Sequence, residues 1–152
     1  MIYKKILVGV DESQDAMDAV EKALELKKRD NSEVVVFHSI VHHMYEVLPN
    51  ISFSGASNAL ISYTIHEDNL ILAKNILNDV ETRFKDEGLE VETRLVFDIL
   101  PEDYIKKVTA EQNFDLVILG CKGKHSKLRE VFLGTIPDRV INEAPCDVLI
   151  VR

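Results

Sequence analysis

Phe114–Thr135 reads FDLVILGCKGKHSKLREVFLGT: an apolar run, two spaced glycines, a basic loop, then Gly-Thr. The run Leu116 to Leu119 is short and carries β-branched residues, which suits a strand covered on both faces better than a helix. Gly120 and Gly123 follow directly, so the backbone can turn tightly there and approach a ligand closely. Gly134-Thr135 then opens Ile136 to Ile141, which reads as helical. A helix N-terminus with unused N–H groups and a hydroxyl beside it suits an anion. Lys122, Lys124, His125, Lys127 and Arg129 fall within eight positions of this loop, although the chain has a net charge of −8. Positive potential therefore gathers at the glycines, while a loop that is merely solvated has the same composition. Neither GxxxxGK(S/T) nor GxGxxG occurs, so any phosphate is held in another way.

Working outward, strand and helix periods alternate from end to end, which predicts βαβ units around a mostly parallel sheet of five strands. Ile6 to Val10, Val34 to Phe37 and Val148 to Val151 are continuous apolar runs like Leu116 to Leu119. Val91, Thr93, Leu95 and Phe97 instead alternate mostly with polar residues, which places the third strand at a sheet edge. Ala16, Ala19, Val20, Ala23 and Leu24 repeat at helical spacing after Ser13, a candidate N-cap. Ala73, Ile76, Leu77, Val80 and Phe84 do the same before Gly88, a candidate C-cap. A third helix is predicted to start at Pro101 and carry Ile105 and Val108. A fourth carries Ile136, Val140 and Ile141 and stops before Pro145. Between these, Val41 to Thr64 mixes His, Pro, Gly, Ser and Asn with scattered apolar residues and suits a lid, an interface or disorder.

At 152 residues and 46% hydrophobic composition, the expectation is one domain spanning 1–152. No apolar run approaches the roughly 18 residues of a membrane span, and MIYKKILVGVD lacks a cleavable signal pattern, which together predict a cytoplasmic protein without a membrane partner. Cys121 and Cys146 form neither a metal-ligand spacing nor a disulfide framework and read as ordinary thiols. His38 reads as a semi-buried strand histidine; His42, His43 and His66 lack metal spacing, so no metal centre is expected. The acidic balance argues against nucleic acid as a partner. The last strand, Val148 to Val151, ends at a bare sheet edge that pairing with a second copy would cover, as would a loop.

KKILVGVDES from Lys4, VVVFHS from Val34, LVILGCKGK from Leu116 and LGTIPDRVINEAPCDVLIVR from Leu133 resemble the universal stress protein family over nearly the whole chain. The resemblance implies an open, all-parallel five-stranded α/β sheet of order 3-2-1-4-5 with helices on both faces, Rossmann-like and adenine nucleotide α-hydrolase-like. It also implies a homodimer through the last strand and a stress-response role. In the nucleotide-binding members ATP, alone or with Mg2+, lies across the carboxyl ends of the strands. Carried over, the ligand residues would be Val10, Asp11, Ser39, Gly120, Gly123, Lys124, Gly134 and Thr135. Asp11 would meet ribose hydroxyls, or else belong to the cap of the first helix. The Ser39 backbone would meet the adenine edge, Gly120 and Gly123 would admit ribose and phosphates, Lys122 and Lys124 would neutralise the phosphates or else stay solvated, and groups near Gly134 and Thr135 would receive them. Ten residues, Lys124 to Leu133, separate Gly123 from Gly134, one more than in that pattern. The implied function is an ATP-binding regulatory homodimer. The alternatives are a chaperone-like interaction dimer that uses no nucleotide, or a slow ATPase, for which no catalytic residue is assignable.

Overall fold

The computed structural model describes residues 2–41, 55–122 and 133–152, with side chains given except over 55–66. Five strands form: β1 (Lys5–Gly9), β2 (Glu33–Ile40), β3 (Glu92–Phe97), β4 (Leu116–Gly120) and β5 (Asp147–Val151). All pair in parallel in the order β3-β2-β1-β4-β5. Three of the four continuous apolar runs are the central strands, with Ile6, Leu7, Val8, Val34 to Phe37 and Leu116 to Leu119 all buried; the fourth, Val148 to Val151, falls in the edge strand β5 and is only half-buried, because the sheet ends there. β3 and β5, with their half-buried patterns, close the two edges, as the alternation in β3 predicted.

Four helices connect them: α1 (Gln14–Asp30), α2 (Gly55–Asp86), α3 (Pro101–Gln112) and α4 (Thr135–Glu143). The Ser13 hydroxyl accepts the Ala16 amide at 3.1 Å and caps α1. Three buried alanines, Ala16, Ala19 and Ala23, then let that helix sit close on the sheet beside Val20 and Leu24. α2 ends at Gly88, whose φ of 68° permits the left-handed turn, and Leu89 N–H reaches back to Phe84 O at 2.9 Å. This helix begins at Gly55, so 55–64, read from sequence as part of an irregular connection, are helical. Scattered apolar residues hide a helix that is propagated from a strong stripe further along. Residues 42–54 of that connection lie outside those described.

One core cluster packs α1 and α2 on one face of the sheet around Val20, Val36, Val80 and Phe84. The other packs Ile105 of α3 and Val140 of α4 against Leu7, Phe37 and Leu119 on the opposite face. Ile141 was expected on the apolar stripe of α4, but its side chain is 46% exposed. Helices on both faces follow from right-handed crossovers in opposite directions from β1. The chain runs from β1 to β2 and β3 on one side and resumes at β4 and β5 on the other. Between β1 and β4 the strand order reverses, and a crevice opens at their carboxyl ends. No described helix is long and apolar enough to cross a membrane.

Candidate functional site

That crevice is lined by Val10, Asp11 and Ser13 after β1, His38 and Ser39 of β2, Gly120 at the end of β4 and Lys122 after it, Pro101 of α3, and Ile136 and Pro137 of α4. The helices α1, α3 and α4 all begin here because each follows a strand's carboxyl end. Their positive dipole ends therefore converge on one opening.

The β1 wall is set by short-range hydrogen bonds. Oδ1 of Asp11 accepts the Ser13 amide at 2.8 Å, which orients the carboxylate beside the crevice, while Ser13 itself caps α1. The two readings of Asp11 are thus compatible, since its carboxylate can hold the turn and still face the opening. Val10 N–H donates to Phe37 O at 3.0 Å, and Asp98 N–H donates to Ile40 O at 2.9 Å. Peptide groups alternate sides along a strand, so the N–H and C=O of Ser39 point toward β1, beyond its last paired residue, Gly9. The Ser39 hydroxyl is committed elsewhere, to Ile99 O in the turn before α3.

The β4 wall is more constrained than its glycines suggest. A Cβ added to Gly120 would lie 2.7 Å from Ala16 N and 2.9 Å from Asp15 Cβ, so the first turn of α1 fills that space. Glycine is needed there for strand–helix packing whatever else the crevice holds. The next residues are tied down: Cys121 N–H donates to Val151 O at 2.7 Å, and Lys122 N–H to Asp15 Oδ2 at 3.0 Å. At the far end of the loop, Gly134 N–H donates to Cys121 O at 3.0 Å, which closes the loop at its base. The Gly134 amide is therefore already used. In the first turn of α4 the amides of Thr135 and Ile136 are the ones a helix start leaves without an intrahelical acceptor, since Pro137 has no N–H, and Ile136 lines the crevice.

Of the ligand residues expected from sequence, Val10, Asp11, Ser39 and Gly120 line one crevice, and Gly134 and Thr135 start the helix whose next two residues line it. Gly123 and Lys124 lie outside the described residues. Asp15, Pro101, Ile136 and Pro137 were not singled out as site residues. Their only sequence signal is position, immediately inside helices that follow strands β1, β3 and β4. Arg139 joins α3 to α4 through Glu102 at 2.7 Å and Asp103 at 3.6 Å, which fixes the spacing of the two helix starts. Cys121 is buried, and burial together with the Asp147 and Asp115 carboxylates raises the Cys146 thiol above its ordinary pKa, so that thiol stays protonated. No group of three or more His, Cys, Asp or Glu able to hold a metal occurs among the described residues.

A model of the universal stress protein family matches residues 2–152. Universal stress protein Sll1388 of Synechocystis sp. is 30% identical, over 100% of this chain and 99% of that protein. Among solved structures, hypothetical protein MJ0577 superposes with a TM-score of 0.80 at 26% identity, covering 99% of this chain and 96% of that one. The universal stress protein from Archaeoglobus fulgidus in complex with dAMP shares the fold at a TM-score of 0.65 and 23% identity, over the full length of both chains.

Proposed function

This chain belongs to the universal stress protein family, and on that premise we propose that its crevice binds an adenine nucleotide, with ATP as the ligand of a regulatory cytoplasmic homodimer. The observation that carries this reading is the meeting of the Ser39 peptide edge, the Asp11 carboxylate and the start of α4 in one crevice at the reversal of strand order. Adenine would lie against Ser39, ribose hydroxyls against Asp11, and phosphates toward the Thr135 and Ile136 amides, the Thr135 hydroxyl, Gly123 and Lys124. The dAMP bound by the Archaeoglobus fulgidus protein supports an adenine nucleotide as the ligand class. Mg2+ would accompany the phosphates. Binding, rather than turnover, is the reading.

Freshly purified protein, once denatured, should release adenine nucleotide into the supernatant, and stripped protein should rebind ATP with Mg2+. A chain that releases none and binds none at millimolar ATP refutes the reading. That outcome would favour a dimer that acts through protein partners, for which Gly120 is already accounted for by the packing of α1.

A further inference from the structure

The parallel ladder between β1 and β2 stops one bond early, and a side chain takes over. Val10 N–H donates to Phe37 O as the ladder requires, and the next bond in register would run from Ser39 N–H to Val10 O. Instead, Nδ1 of His38 lies 2.8 Å from Val10 O. A carbonyl can only accept, so Nδ1 carries the proton, and the neutral ring is the Nδ1–H tautomer. The ring is part-buried beside the crevice, and both residues it joins line that crevice.

We infer that His38 is a positioning residue for base recognition: by satisfying the Val10 carbonyl in place of the Ser39 amide, it leaves the Ser39 peptide edge to a ligand. This inference rests on the adenine-nucleotide reading above and specifies how the base is chosen. The Ser39 hydroxyl is held by Ile99 O, so the residue presents only its backbone donor and acceptor. A neighbouring N–H and C=O match the edge of adenine, which offers N1 as acceptor and the 6-amino group as donor. Hypoxanthine and guanine carry the reverse, N1–H and O6, and would leave two polar groups facing like partners. Without the imidazole, Val10 O would turn to the donor next in register, the Ser39 amide, and β1 would zip one step further along β2. The site would then lose its base edge while keeping Asp11 and the α4 amides.

The test compares ATP with inosine triphosphate, which differ only along that edge, by calorimetry on the full chain. Wild-type protein should prefer ATP by roughly tenfold or more, the scale of a paired donor–acceptor contact. In His38→Leu that ratio should fall toward one with the sheet intact by circular dichroism. His38→Asn, whose side-chain N–H can occupy the place of Nδ1, should keep most of it. His38→Gln, whose amide falls nearer the place of Nε2, should lose it and serves in place of the leucine variant if that variant does not fold. A preference for ATP retained in folded His38→Leu or His38→Gln overturns the role of His38 and leaves the nucleotide reading standing. Wild-type protein that binds neither triphosphate overturns the nucleotide reading, and this inference with it.

Discussion

Gly120 is required by packing before any ligand is considered. Its Cβ position is occupied by the backbone of Asp15 and Ala16, so Gly120→Ala must push α1 away from β4 with no ligand present. Overpacking of this kind costs roughly 1–3 kcal/mol. Urea denaturation of the nucleotide-free protein should report that loss, and an unchanged midpoint would mean that α1 yields freely. Lost nucleotide binding in this variant would therefore not by itself identify Gly120 as a ligand contact. Gly9 is in a related position, with Leu119 Cδ2 2.7 Å from its would-be Cβ, but there a side chain rather than backbone is in the way and can move. Spacing made Gly120 conspicuous in the sequence. That its missing side chain is filled by α1 depends on a contact between residues more than a hundred positions apart, which no local pattern records.

Among the elements, β3 and α3 share a polar network at the sheet edge, beside the half-buried Val96 and Tyr104 that pack against the core. Arg94 donates to Glu92 at 2.6 Å, to Gln112 at 3.0 Å and to Tyr104 at 3.3 Å, joining the edge strand to the helix that starts at the crevice. The guanidinium hydrogen bond holds the Glu92 carboxyl below its ordinary pKa of 4.5. A folded-state pKa below the unfolded value gives stability that is present above the unfolded value and lost as pH falls through the folded one. The carboxylate is half exposed, so the contribution is at most about 1 kcal/mol. Thermal melts of wild type and Glu92→Gln should accordingly differ slightly at pH 7 and converge in acid, below the folded-state pKa of Glu92. A gap that persists there would place the effect elsewhere. Element existence was legible from periodicity and caps at Ser13, Gly88 and Pro101, all of which the fold uses. The early start of α2 was not, because Gly55 to Thr64 lacks a continuous apolar stripe and its helical state depends on the well-patterned turns that follow.

For the whole molecule, the β5 edge is where a second copy would extend the sheet. Cys121 N–H reaches Val151 O and Asp147 N–H reaches Asp115 O, so by alternation the peptide groups of Val148 and Ile150 face away from β4. A second copy adding its own β5 would use those groups. Ile150→Pro removes one outward N–H without breaking a β4–β5 bond, and it should convert a dimer to monomer in sedimentation while Ile150→Ala, which loses only side-chain packing, should not. A wild-type monomer, or a proline variant that stays dimeric, would exclude this edge as the interface. The sequence by itself determined the alternation of strand and helix, the buried central strands, the edge placement of β3 and the helix caps. These are properties of neighbouring residues, written in periods of 2 and 3.6. The tertiary structure alone decided which backbone groups remain for a ligand. The Gly134 and Lys122 amides are taken by Cys121 O and Asp15, the Val10 carbonyl by His38, and the space at Gly120 by α1. Each of those commitments joins segments far apart in the chain, and a hydrogen-bond partner or a filled space exists only once folding has brought them together.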